Sequence, residues 1–138
     1  MTTENAAPTA APERASPPIT ISDRDHALLS RYLELADGEV APLEEELARA
    51  EVVSVDHLPS DVVRMGSRVT FEDARSGVRR VVTLVYPEEA NASEGRVSVI
   101  APIGAALIGL RVGHAIDCEL PNRRHARLVV IALVQPER

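Results

Sequence analysis

Residues 67–87 read SRVTFEDARSGVRRVVTLVYP, and the period of two in this stretch decides the fold. Val69 and Phe71 alternate with Arg68, Thr70 and Glu72, which predicts a strand with one apolar and one wet face. Ser76-Gly77 is a turn signal, Arg79–Tyr86 reads as the next strand, and Pro87 closes it. Toward the C-terminus, Val97–Ile100 reads as a short third strand. Pro102 suits the start of a short helix, Pro102–Ile108, with Gly109 ending it. Ala115–Leu120 alternates again, Ile116, Cys118 and Leu120 against Asp117 and Glu119. Ala126–Val134 is apolar on both sides after Arg127, so a central strand covered on both faces is expected. The sum is an antiparallel sheet of about five strands carrying one short helix.

Upstream of this stretch the period is helical. Ser22 and Asp25 have capping-box spacing. Leu28, Leu29, Tyr32, Leu33, Leu35 and Ala36 follow at helical spacing, with Arg24, Asp25, Arg31 and Glu34 expected on the wet side. Asp37-Gly38 ends this first helix, Ser22–Ala36, and Pro42 opens a second, Pro42–Val52. Leu43, Leu47 and Ala50 continue an apolar stripe there, and Glu45 and Arg49 stand at i,i+4. Two helices with so short a connection make an antiparallel hairpin. The class is therefore α+β. Residues 1–18, MTTENAAPTAAPERASPP, lack periodic large apolar side chains and are expected to be a disordered tail. The hairpin then occupies 19–58 and the sheet domain 59–138.

Composition removes several function classes. The chain has 138 residues, with 15 basic residues, all arginine, against 21 acids. Residues 1–58 hold 12 acids and 4 arginines, residues 59–138 hold 9 acids and 11 arginines, so two different surfaces are expected. A net charge of −6 argues against coating phosphate backbones, and no sequence-specific nucleic acid contact is expected. Tyr32, Phe71 and Tyr86 are the whole aromatic set, too few for a base-stacking platform. Without lysine no P-loop exists. One cysteine, Cys118, excludes an intramolecular disulfide and a multi-cysteine zinc site, and its phase with Ile116 marks it as a small core residue. His26, His57, His114 and His125 are scattered without metal-ligand spacing, so exposed or half-exposed positions are expected for them. No apolar run reaches the ~20 residues of a membrane span and no export signal opens the chain, so a cytoplasmic protein is expected. Catalytic residues, cofactors and a resident metal are not expected.

Two features remain open on the residues alone. Asp37, Glu39, Glu44, Glu45 and Glu46 either complement the positive end of the second helix or offer carboxylates to a Mg²⁺ held by a partner. The run VIAPIGAALIGLRV, residues 99–112, is either core packing or, around Ala101-Pro102-Ile103, an exposed apolar edge for a protein contact.

The blocks EEELARAEVV (44–53), LPSDVVRMGSRVTFED (58–73), VVTLVYPEEA (81–90), VSVIAPIGAALIGLRVG (97–113) and LVQPE (133–137) resemble the regulators of nucleoside diphosphate kinase, within the Gre-type transcription factor superfamily. The resemblance runs from about Ile19 to Glu137. It implies an FKBP-like C-terminal domain behind a short antiparallel coiled coil, and binding to bacterial RNA polymerase at the rim of its secondary channel. The Gre-type docking loop with its Ser-Pro corresponds to Ala101, Pro102, Ile103 and Gly104 here, with Leu107 behind them. Asp37 and Glu39 would form an acidic hairpin tip. Cleavage factors of the superfamily deliver tip carboxylates to the polymerase Mg²⁺ along far longer arms. Helices of about 22 Å and 16 Å, at 1.5 Å per residue, are too short for that. The expectation is a non-catalytic regulator that competes with Gre-type factors, with regulation of nucleoside diphosphate kinase as the alternative. Prolyl isomerase activity is not expected, because Phe71 and Tyr86 alone cannot line a proline pocket. The chain departs from the family at four places: Ala101 for Ser, His114 for Asp, Cys118 for Trp, and Asn122-Arg123 for Gly-Gly.

Overall fold

The computed structural model describes residues 18–36, 40–120 and 124–136. The tail 1–17, the tip with Asp37 and Glu39, and the Asn122-Arg123 turn lie outside the described residues. In chain order the elements are β1 (Thr20–Ser22), α1 (Asp23–Leu35), α2 (Ala41–Arg49), β2 (Glu51–Val53), β3 (Arg68–Asp73), β4 (Arg79–Val85), β5 (Arg96–Ser98), α3 (Pro102–Leu107), β6 (Ala115–Leu120) and β7 (Arg124–Val134).

The hairpin forms as its caps dictate. Ser22 Oγ accepts the Asp25 N–H at 3.0 Å and starts α1. The second helix is shorter than expected: it stops at Arg49, and Glu51–Val53 is a strand rather than a last helical turn. Ala50 turns extended, and the β-branched pair Val52-Val53 then pairs in parallel with Thr20–Ser22. This two-stranded clasp joins the two open ends of the hairpin. Arg49 forms its 2.7 Å ion pair with Glu46, at i,i+3.

The five-stranded sheet has the order β5-β4-β3-β7-β6. Three pairings are antiparallel, but β5 runs parallel to β4, a correction to the all-antiparallel expectation. The reason lies in residues 86–95, where two 3₁₀ turns at Pro87–Glu89 and Ala92–Glu94 carry the chain back across before it re-enters the sheet. A register shift at Thr70/Phe71 marks a bulge between β3 and β7. β7 is central, as expected, yet it is covered on one face only. Ala126, Leu128 and Val130 are buried, whereas Ala132 and Val134 face out, because α3 and the hairpin both pack on the same side.

One hydrophobic core runs through both halves of the chain. Ile19, Ile21, Leu29, Leu43 and Leu47 from the hairpin join Val69, Phe71, Leu84, Leu107, Leu110 and Val130. Backbone approach there is close: a Cβ on Gly109, whose φ is +83°, would meet Ile19 Cβ at 2.8 Å. At the far end Ser67, fully buried, accepts the Arg64 N–H and donates to Gln135. Gln135 in turn donates to the Ser60 and Val62 carbonyls at 2.9 and 2.7 Å, which pins the C-terminal strand to the 60–67 loop.

Candidate functional site

The segment singled out for docking begins where β5 ends. The Ala101 N–H donates to the Ser98 carbonyl at 3.1 Å, and Ser98 Oγ accepts the Ile100 N–H, so a tight turn delivers the chain to Pro102. Pro102 stands in the first turn of α3, where its missing N–H leaves nothing unpaired. Ala101 occupies the cap position and has no polar side-chain atom to bond there.

Exposure divides the five residues into two groups. Pro102 is exposed, and Ala101 and Ile103 are half-buried, so these three form an apolar knob. Gly104 and Leu107 are buried and have no surface to offer a partner. Their part is support. Gly104 lets α3 press onto the Ser98–Val99 backbone, and Leu107 fills the core beneath. Residues 99–112 are thus core from Gly104 to Leu110 and reach the surface at Ala101, Pro102 and Ile103.

Two neighbours fix the knob. α2 lies against α3, where Ala105 and Ala106 present little bulk. From β6, the Cys118 thiol donates to the Pro102 carbonyl at 3.5 Å. Burial, and then the charge of Glu119, push this thiol up to about 11. The thiolate is the reactive form, so Cys118 in the folded chain should alkylate roughly 100-fold more slowly at neutral pH than a free cysteine. Labelling with iodoacetamide before and after denaturation checks this, and equal rates in both states would contradict it.

The hairpin is anchored beside the sheet by contacts that periodicity did not reveal. Asp25 was expected on the wet side of α1, but it is half-buried and Oδ2 accepts the Met65 N–H at 3.3 Å. Burial pushes its carboxyl above the usual range, against the pull of the Met65 hydrogen bond, Arg64 and Arg24. Tyr32 of α1 meets Tyr86 just after β4, ring centroids 6.1 Å apart. Burial raises the Tyr86 hydroxyl as well, with the charge of Asp25 adding to it. Between α1 and α2 an open groove of about 400 Å³ is lined by His26, Ser30, Leu33, Glu34, Glu44 and Leu47 among others. His26 Nε2 lies 3.3 Å from the Leu47 carbonyl, so the first turn of α1 sits against the end of α2.

His26 and His114 are half-buried, His57 and His125 exposed, as expected. Nδ1 of His114 is buried without a hydrogen-bond partner among the described residues. Glu44 and Glu45 are exposed on α2. Among the described residues no three His, Cys, Asp or Glu side chains converge in a metal-binding group. No helix described is long and apolar enough to cross a membrane.

The family model for the C-terminal domain of the transcription elongation factors GreA/GreB matches residues 58–133, and the model for the Rnk N-terminus matches 17–53. The chain is 43% identical over 126 residues to the regulator of nucleoside diphosphate kinase of Escherichia coli strain K12, covering 88% of this chain and 93% of that one. It is 38% identical over 88 residues to the transcription elongation factor GreA of Azorhizobium caulinodans, covering 64% of this chain and 56% of that one. Among solved structures, the elongation factor GreA/GreB of Nitrosomonas europaea superposes with a TM-score of 0.69 at 37% identity, over 86% of this chain and 98% of that one. A GreA/GreB-like α+β fold, built from these blocks in this order, places the chain in the Gre-type transcription factor family, with an Rnk N-terminus joined to a GreA/GreB C-terminal domain.

Proposed function

We propose that this chain is a non-catalytic, cytoplasmic regulator that binds bacterial RNA polymerase near its secondary channel and competes there with longer Gre-type factors. The observation that carries this reading is a GreA/GreB C-terminal domain attached to a shortened hairpin. With 13 and 9 residues, α1 and α2 extend about 20 Å and 14 Å, shorter still than the sequence suggested. Such a hairpin occupies the channel mouth without carrying its tip carboxylates, Asp37 and Glu39, to the catalytic metal. Their part in this reading is electrostatic steering of the encounter, and transcript cleavage is not stimulated.

The docking element is the knob Ala101-Pro102-Ile103, an apolar point on a rigid helix start, of the kind that fills a pocket at an interface centre. In a pull-down with purified core polymerase, the wild type should bind and a Gre-type competitor should displace it. Ile103→Asp should weaken that binding roughly tenfold or more, compared at a temperature where circular dichroism shows the variant folded, because Ile103 is half-buried and packs partly against the core. Unchanged binding by a folded Ile103→Asp chain would remove the knob from the interface.

A second reading, a regulatory partner of nucleoside diphosphate kinase, is favoured by the name of the Escherichia coli relative. The same pull-down with purified kinase in place of polymerase distinguishes the two.

A further inference from the structure

The five-stranded sheet turns one face to the core and leaves the other bare. Val69, Phe71, Val82 and Val130 point to the side on which α3 and the hairpin pack, so the alternate residues of the same strands point away from it. On β3 these are Arg68, Thr70 and Glu72. The register places Val81 of β4 and Ala132 of β7 on either side of Thr70. This middle row is uncharged, its Thr70 is half-buried, and its Val81 and Ala132 are exposed, Val81 to 49%. Beside it on β7 lie Val134, opposite Arg68 and 65% exposed, and the half-buried Val129, opposite Glu72.

The charges on this face have a symmetry of their own. Arg68 and Glu72 stand two residues to either side of Thr70, each about 7 Å from it along the strand. Glu72 is held by Arg79 at 2.8 Å, whereas Arg68 makes no ion pair among the described residues. Consider a two-fold axis in the plane of the face, crossing the strands at Thr70. It lays β3 of a second copy antiparallel over β3 of the first, so each Arg68 meets Glu72 of the other copy. The uncharged rows then meet each other, and Val134 of each copy meets Val129 of the other. Sheets stacked face to face lie about 10 Å apart, a gap that arginine and glutamate side chains bridge from both sides. An axis running along β3 instead sets Arg68 on Arg68 and Glu72 on Glu72, so charge selects the crossing axis. A surface of one sign, such as a phosphate backbone, complements only one end of this face. A second copy complements both.

We propose that the bare face of the sheet is a homodimer interface, two copies packed sheet on sheet about Thr70 with Arg68 and Glu72 paired reciprocally. The Ala101–Ile103 knob lies on the α3 side of the sheet, so the proposal stands apart from the polymerase reading. The face covers a few hundred Å² per copy, short of the roughly 800 Å² per partner of a standard stable interface, so the dimer is weak and reversible, with a dissociation constant on the order of 100 μM. Sedimentation velocity of the full chain tests it, and the wild type should pass from monomer to dimer between about 10 μM and about 1 mM. Thr70→Arg sets two added charges against each other on the axis and should weaken the dimer roughly tenfold or more. Arg68→Glu sets carboxylate against carboxylate and should do the same, while Arg68→Glu/Glu72→Arg rebuilds the reciprocal pair with its signs exchanged and should recover most of the loss. All three variants alter outward side chains, and circular dichroism at the temperature of the run confirms that they are folded. A wild type that stays monomeric throughout this range overturns the proposal. So does a dimer that Thr70→Arg and Arg68→Glu leave intact, because the contact then lies elsewhere. A double variant no tighter than Arg68→Glu alone would remove the Arg68–Glu72 pairing and the axis with it.

Discussion

Gly104→Ala should be the most damaging single-methyl change in this chain, costing about 4 kcal/mol or more and lowering the melting temperature by roughly 10 °C or more. A Cβ at Gly104 would fall inside the van der Waals shell of the Ser98 carbonyl oxygen, at 2.9 Å from the Ser98 carbonyl carbon and 3.0 Å from Val99 Cα. All three are backbone atoms, so no rotamer change relieves the overlap. The helix would have to lift off β5, and the lift would uncover Leu107 and strain the Cys118–Pro102 contact. Thermal denaturation followed by circular dichroism measures the loss. The same variant separates support from contact, because any weakening of polymerase binding should follow the fraction unfolded. A Gly104→Ala chain as stable as the wild type would show that α3 does not seat against β5 in this way.

The sequence revealed the parts of this fold that local patterning governs. Val69 and Phe71 alternate inward, Gly77 turns the hairpin with φ at +76°, and Ser22 caps α1, each because a short-range rule has no competitor there. Long-range partners stayed hidden. The Glu51–Val53 strand exists only because Thr20–Ser22 lies beside it, and nothing within either tripeptide announces the other. Asp25 reads as a wet-side acid until the Met65 N–H, forty positions on, is brought to it. β7 reads as covered twice because its outward residues Ala132 and Val134 are apolar, and patterning cannot tell an uncovered apolar face from a buried one.

The candidate docking segment was legible to the same degree. Pro102 at a helix start and glycine two residues on are visible in the sequence, so the position of the turn was clear. Which residues of the turn reach solvent was not, since Ala101, Ile103, Gly104 and Leu107 are all small or apolar. Burial was decided by the approach of α2, distant in sequence, and by how closely α3 folds back onto the backbone at the end of neighbouring β5.

Leu29→Ala should cost about 3 kcal/mol, and the way the cost appears tests whether hairpin and sheet fold as one unit. Leu29 is fully buried on α1, and its cluster contains Leu43 and Leu47 of α2 together with Val69, Phe71 and Leu107 of the sheet domain. Leu29 belongs to a core that both halves of the chain share, so truncation loosens the packing that joins them. With no tryptophan and only two tyrosines, tyrosine emission comes from Tyr32 and Tyr86, the pair that spans the junction. Far-ultraviolet dichroism reports the helices and the sheet instead. In a single cooperative unit the two signals should fall together in the variant, roughly 8–12 °C below the wild type. If tyrosine emission changed first while most of the dichroism persisted, the hairpin would be melting off an intact sheet. The shared core would then be a contact between two separable domains, with the hairpin free to swing against the sheet.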